Sequence, residues 1–281
     1  MGYRSLRACL LDMEKNGHLI RISEEVDPHL EMASIHLRVH KAGGPAILFE
    51  NVKGCRYPAV SNLFGNMDRC HFMFRHSIEM VEHLVKLRSD PSLLIRNPSW
   101  LQDAVVGGFN SFPKRTSGNL EPISISDLPL IKHWPDDGGA FITMPQVYSE
   151  DPEKGGWQNS NLGMYRIQLT GNKYEMNKEV GLHYQIHRGI GIHHTKAHAK
   201  GEPLKVAIFV GGPPSHMFSA VMPLPEGLPE VSFAGVLGER RWRYFNYRGY
   251  TVSSDADFAI LGEIHPEETK PEGPFGDHLG Y

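Results

Sequence analysis

Residues 3–52 alternate two helical patterns with two short apolar runs, and this alternation constrains the fold more than any other feature of the 281-residue sequence. Leu6, Leu10 and Met13 recur at helical spacing over 3–16, and His18–Ile22 then reads as a strand. The run at 29–44 repeats the helix, with Gly43 and Gly44 as a stop signal before the apolar strand at 45–52. Ile78, Val81 and Val85 put another apolar stripe on a helix over 75–89, closed by Asp90-Pro91-Ser92. The first hundred residues therefore predict a mixed α/β domain.

From about residue 120 the texture changes. The stretch 122–143 is rich in Pro, Gly and Asp, and 162–171, 204–214 and 255–264 read as strands. A domain boundary near 115 follows, with an N-terminal α/β domain at 1–115 and a barrel-like or sandwich-like domain at 116–281, an α+β chain taken together. No internal repeat and no low-complexity tract interrupts it.

Composition narrows the function. Twenty-nine Lys and Arg against 32 Asp and Glu give a formal charge of −3, which offers no field for wrapping nucleic acid. No apolar stretch reaches the roughly 20 residues that span a bilayer. Cys9, Cys55 and Cys70 are odd in number and lack CxxC spacing, and no secretory leader pattern precedes the first helix, so a cytoplasmic protein is expected. The ligand should be small. Sixteen His, 29 Gly and 20 Pro point to abundant turns and to metal chemistry.

Three constellations carry chemistry. His183, His187, His193, His194 and His198 crowd into 181–201. On a helix His183 and His187 would share a face, as in zinc proteases, but Gly181, Gly189 and Gly191 argue against a helix there and no Glu follows His183 directly. A turn with one or two functional histidines is the better expectation. Asn161, Arg166 and Glu230 are further candidates: an amide oxygen and a carboxylate together with an imidazole would suit Mn²⁺ or Mg²⁺, although the plainer reading is a strand-entry Asn, a surface Arg and a solvated Glu. Glu272 and Asp277 stand five residues apart in the closing run PEGPFGDHLGY. If both face one pocket, their mutual repulsion would leave one protonated and able to act as a general acid, with a nearby arginine to hold the other ionised. A solvated turn is the plainer alternative for the same run.

The ordered motifs GPAILFENVKG (44–54), DLPLIKHWPDDGG (127–139), NLGMYRIQ (161–168) with HRG (187–189), MPLPEGLPEVSFAG (222–235) and ETKPEGPFGDHLGY (268–281) resemble the UbiD family of prenylated-flavin-dependent decarboxylases. The Asp of the GDH form looks most like the branch that decarboxylates polyprenyl-4-hydroxybenzoate in quinone biosynthesis. The resemblance implies a split β-barrel flavin-binding domain at 116–281. It implies Asn161, His187 and Glu230 as ligands of a Mn²⁺ or Mg²⁺ ion on the phosphate of prenylated FMN, with K⁺ as an accessory ion. Met164, Tyr165, Arg166, His183, Tyr184, Gln185, Arg188, Gly189 and Met222 would lie along the cofactor. Arg166, Glu272 and Asp277 would be the catalytic trio.

The implied substrate is an aromatic or α,β-unsaturated carboxylic acid, with a flavin prenyltransferase as cofactor supplier. The implied partners also include further copies of the chain in a homo-oligomer, and peripheral membrane contact through a lipophilic substrate. Family members continue past the HLGY run, so the expectation is a domain truncated on its C-terminal side, a fragment or one part of a split protein that binds cofactor poorly alone. A non-catalytic flavin- or metal-binding module and a metal hydrolase on the histidine cluster are the rival classes. Strict alternation along one strand would put Asn161 and Arg166 on opposite faces, which a bulge at Gly163, or a metal placed at the strand's mouth, would reconcile.

Overall fold

The computed structural model describes residues 2–225 and 227–276. The Ser5 side chain accepts from the N–H of Ala8 and caps helix Leu6–Lys15, whose inner face buries Cys9 and Met13. Strands Leu19–Val26 and Ala46–Val52 pair in parallel through helix Glu31–Lys41, a βαβ unit. The expected stop is a Schellman motif: Gly43 takes φ 66°, its N–H donates to His40 O, and Gly44 N–H donates to Val39 O, each at 2.9 Å. Ala59–Ser61 completes this sheet antiparallel to Ala46–Val52.

Helices Met67–Phe74, Ile78–Ser89 and Trp100–Asn110 follow, of which sequence periodicity singles out the second alone. The third escapes it because Leu101, Val105 and Phe109 are exposed rather than turned to the core.

Beyond residue 110 the described chain builds three small sheets. Phe258–Ile264, Leu204–Val210, Gln146–Glu150 and Ser160–Gly163 lie side by side, each neighbouring pair antiparallel. Tyr250–Ser253, Arg243–Tyr247 and Lys114–Arg115 form a second sheet, and Phe141–Ile142, Ile167–Gln168 and Gly181–Leu182 a third. The mixed α/β character is as expected, but no closed barrel is found among the described residues. Helix Glu230–Leu237 ties the two halves together by packing on strand Ser160–Gly163 and on helices Pro214–Ser219, Trp100–Asn110 and Ile78–Ser89. Cys9, Met13 and Leu19 accordingly share one apolar core with Met217 and Leu237.

Two local expectations change. The run 162–171 is not one strand: it breaks after Gly163 and resumes at Ile167 in another sheet. Residues Gly189–Ala199 are helical despite their glycines. A Cβ on Gly191 would lie 2.4 Å from Ile186 O, so this glycine is what lets the preceding turn fold back on the helix. No helix among the described residues is long and apolar enough to cross a membrane.

Trp242, 1% exposed, anchors the other large core between Tyr148, Phe209 and Tyr244. His216 packs against it, and complete burial, helped by the Arg240 charge, pulls the imidazole down from 6.5 to about 3. A histidine held neutral in the fold gives its full stability above its unfolded value and loses it as pH falls from about 6.5 toward about 3. Urea denaturation across that range should show stability declining on acidification, with a shallower decline in His216→Phe; an unchanged slope would show that other groups govern acid unfolding.

Candidate active site

The break after Gly163 creates the site. A Cβ there would sit 2.4 Å from the Tyr165 hydroxyl, so glycine admits the sharp return of Tyr165 over the strand end. Met164 leaves the sheet and donates its N–H to Ala220 O at 3.0 Å. Three residues on, Ile167 pairs with Ile142 and Leu182, which places Arg166 at the head of a different sheet. The alternation that would have opposed Asn161 and Arg166 therefore never applies.

Arg166 meets Glu272 in a two-point pair, Nε to Oε1 at 2.8 Å and Nη2 to Oε2 at 2.7 Å. The guanidinium lies 4.9 Å from the centre of the Phe275 ring, and Glu272 pushes its pKa up further from an already high value. Glu272 is 10% exposed and Arg166 34%, so the pair has one open side. His183 Nδ1 stands 3.8 Å from Glu272 Oε2, just past hydrogen-bond reach. Asp277 lies outside the described residues.

The loop that carries Glu272 is clamped along its backbone. Tyr174 Oη donates to Pro271 O at 2.8 Å, Gln168 Oε1 accepts from Gly273 N–H at 2.8 Å, and Asn172 Nδ2 donates to Gly273 O at 2.5 Å. Gly138 N–H donates to Pro274 O at 2.7 Å, and a Cβ on Gly138 would lie 2.2 Å from Gly273 O. Phe275 fills a box made by Phe141, His133 and Arg166. Sequence reasoning misses these contacts. The DDGG run at 136–139 signals a turn by its texture, and nothing in its pattern says which distant backbone it approaches.

A second group gathers one strand away. Asn161 is buried and its Nδ2 has no hydrogen-bond partner. Glu230 opens helix Glu230–Leu237, and its carboxylate accepts the N–H of Leu162 at 3.0 Å; burial pushes its pKa up. A Cβ on Gly189 would lie 2.1 Å from Asn161 Oδ1, so only glycine lets the first turn of helix Gly189–Ala199 reach the amide. His187 is exposed on the turn leading into that helix, and Arg188 takes the N-cap position without a side-chain cap, its Nε donating to Gln185 Oε1 at 3.4 Å. The Asn161 Oδ1 and the desolvated Glu230 carboxylate are oxygen donors of the kind a hard cation takes, while the free Nδ2 is a donor that suits an anionic oxygen such as a phosphate's.

Tyr165 bridges the two groups. It feels the charges of Glu230 and Arg188, and its ring centre is 6.4 Å from that of Tyr184, whose hydroxyl hydrogen-bonds His194 Nδ1 at 2.6 Å. Met222 N–H donates to Ser219 O in the turn that also receives Met164. The residues expected along a cofactor thus fall on three segments, 164–166, 183–189 and 222. The five histidines do not converge. His183 and His187 precede the helix, His193 Nδ1 bonds the buried Ser149 Oγ at 2.9 Å, and no cluster of three or more His, Cys, Asp or Glu suited to a metal occurs among the described residues. An open cleft of about 2130 Å³ begins at Tyr174, His183, Tyr184 and Glu272 and runs between the 117–125 strap and strand Phe258–Ile264. It exceeds what one small ligand fills, about 300–1,000 Å³, so it is an open face rather than a fitted pocket.

Comparison with known proteins decides the family. Residues 112–281 match the 3-octaprenyl-4-hydroxybenzoate carboxy-lyase Rift-related domain, and 10–88 match the N-terminal domain of the same carboxy-lyases. The chain belongs to the UbiD family. A relative from Chlamydia pneumoniae, named as one of the subunits of a 4-hydroxybenzoate decarboxylase, is 37% identical over 94% of this chain and 45% of its own length. An uncharacterized protein of Chlamydia trachomatis is 38% identical over 99% of this chain and 48% of its own. This chain thus spans about half the length of those relatives.

Among solved UbiD-class structures, an evolved dimeric HmfF from Pelotomaculum thermopropionicum in complex with prFMN superposes with TM-score 0.79 at 26% identity, over 99% of this chain and 61% of that one. The closed form of vanillic acid decarboxylase from Sedimentibacter hydroxybenzoicus gives 0.80 at 26%, over 99% and 58%.

The clamp in this UbiD chain is directly testable. Gly138→Ala should push the 271–276 loop away from Gly273 O and cost about 1–3 kcal/mol of overpacking. Trp134, whose ring Gly276 approaches so closely that a Cβ would lie 2.4 Å away, should become more accessible to acrylamide quenching in this variant. Unaltered quenching, judged against a Trp134→Phe background, would mean that the loop accommodates the methyl group.

Proposed function

We propose that this protein provides the cofactor- and acid-bearing part of a non-oxidative, reversible decarboxylase of aromatic or α,β-unsaturated carboxylic acids, and that it uses prenylated FMN. The reading rests above all on the two-point Arg166–Glu272 pair, whose Glu272 lines one end of an open cleft. Residues 1–115 serve in it as the N-terminal domain, and the sheets of 116–281 as part of a split flavin-binding barrel; the separate family matches at 10–88 and 112–281 support that division. The expected substrate is a 3-polyprenyl-4-hydroxybenzoate of quinone biosynthesis. The relative named for 4-hydroxybenzoate decarboxylase supports a phenolic acid, and Leu182, Ile186 and Leu261 give the cleft apolar ground for a prenyl chain.

Bound prenylated FMN would supply the electron sink for the carbanion equivalent left by CO₂ loss. Asn161, His187 and Glu230 would hold a Mn²⁺ or Mg²⁺ ion at its phosphate, while Met164, Tyr165, His183, Tyr184, Gln185, Arg188, Gly189 and Met222 line it. Arg166 engages the substrate carboxylate with the geometry it now offers Glu272. Asp277 delivers a proton to the carbon that lost CO₂, so one carboxylate and one proton become CO₂ and a C–H bond.

The test is coexpression of the protein in its full-length form with a flavin prenyltransferase, followed by absorbance spectra and assay of CO₂ release from aromatic and acrylic acids. Arg166→Lys should lower kcat/KM by about 100-fold or more. Asp277→Asn should slow proton delivery about as strongly while leaving the bound-flavin spectrum intact. In a metal titration, Asn161→Ala and Glu230→Gln should each weaken Mn²⁺ binding by about ten-fold or more. Flavin absorbance without CO₂ release from any acid would leave a non-catalytic flavin-binding module as the function.

A further inference from the structure

We propose that Asp137 is a positioning residue that holds the Glu272 loop closed over Arg166, which goes beyond the catalytic trio and rests on the decarboxylase reading for its consequence in turnover. Asp137 is 5% exposed. Its Oδ2 accepts the N–H groups of His133 at 3.1 Å and Trp134 at 2.9 Å, which fixes the 133–137 turn. Its Oδ1 accepts the N–H of Gly276 at 2.8 Å, a bond across 139 residues of sequence to the position next before Asp277. One buried carboxylate therefore joins the turn under the site to the far end of the loop that bears Glu272. Arg166 also feels the Asp137 charge, so the same carboxylate helps balance the guanidinium on which the loop closes.

The chemistry of the group matters. A carboxylate offers acceptor oxygens on both sides, and here one side serves the turn and the other the loop. An amide offers an acceptor on one side and an NH₂ on the other, so Asp137→Asn can satisfy either the turn or Gly276 but must present a donor to the remaining N–H. Asp137→Ala satisfies neither. The clamps from Tyr174, Gln168, Asn172 and Gly138 act on 271–274, whereas Asp137 takes hold at Gly276 and so directs the chain toward Asp277.

Amide hydrogen exchange over 272–276, in the full chain, reads the loop without any need for turnover. Asp137→Asn and Asp137→Ala should speed exchange there by about ten-fold or more, while strands Leu19–Val26 and Ala46–Val52 stay within about two-fold of the parent. Asp255→Asn is the control, since it strips a similarly buried carboxylate from its bonds to Arg240 at 2.9 and 3.0 Å. It should lower the thermal midpoint without opening the loop. In enzyme loaded with cofactor, Asp137→Asn should reduce kcat about ten-fold or more with KM little changed, because a substrate carboxylate still meets Arg166 while the Glu272 loop is misplaced.

Parent-like exchange at 272–276 in Asp137→Ala would overturn the proposal, as would a uniform rise across the whole chain. If the loop opens as expected but the loaded parent protein decarboxylates nothing, the anchor stands and the decarboxylase reading fails.

Discussion

The Arg166–Glu272 pair joins positions 106 residues apart, and the local architecture around it makes that meeting possible. A bidentate guanidinium–carboxylate contact tolerates little displacement, so both backbones must be fixed before the side chains meet. On the Arg166 side this is done by leaving one sheet at Gly163 and entering another at Ile167. On the Glu272 side it is done without regular secondary structure, by backbone groups of 271–276 that find partners in Gly138, Gln168, Asn172, Tyr174 and Asp137. A loop held this way can present a carboxylate as firmly as a strand does, because each backbone bond removes freedom that the side chain would otherwise have to lose.

The elements with a local cause are legible in the sequence. Helix Leu6–Lys15, the Gly43–Gly44 stop, strand Ala46–Val52 and helix Ile78–Ser89 follow from spacing and capping that a window of a dozen residues contains. Helix Gly189–Ala199 is not legible, because its glycines answer to close neighbours outside the helix: Gly189 is small for Asn161, and Gly191 for the turn at 185–186. Propensity sees the entropy that glycine costs and not the close approach it permits. The split of 162–171 hides for a related reason, since an apolar run gives no sign that its two ends pair in different sheets.

The site shows the same division more sharply. Ordered motifs single out candidate residues, and the structure pairs Arg166 with Glu272 and brings Glu230 to the strand of Asn161, while His187 stays exposed and Asp277 lies outside the described residues. What no pattern contains is that the buried Asn161 Nδ2 lacks a partner, that Phe275 lies against the guanidinium, or that the DDGG turn forms the floor of the closing loop. The last two depend on contacts between segments more than a hundred residues apart, and short-range spacing has no hold on them.

The segment 160–168 finally explains why two chemistries sit side by side. Its first half places Asn161 against the start of helix Gly189–Ala199 and gives the Leu162 N–H to Glu230; its second half raises Arg166 beside Glu272. Tyr165 stands between the halves, close enough to feel Glu230 on one side and to pack near Tyr184 on the other. The buried amide at Asn161 and the guanidinium at Arg166 are thus separated by four residues of one chain. Their spacing is set by the single backbone turn after Gly163, so the distance between the Asn161 amide and the Arg166–Glu272 pair is a property of that turn and not of any side chain that mutation could readily adjust.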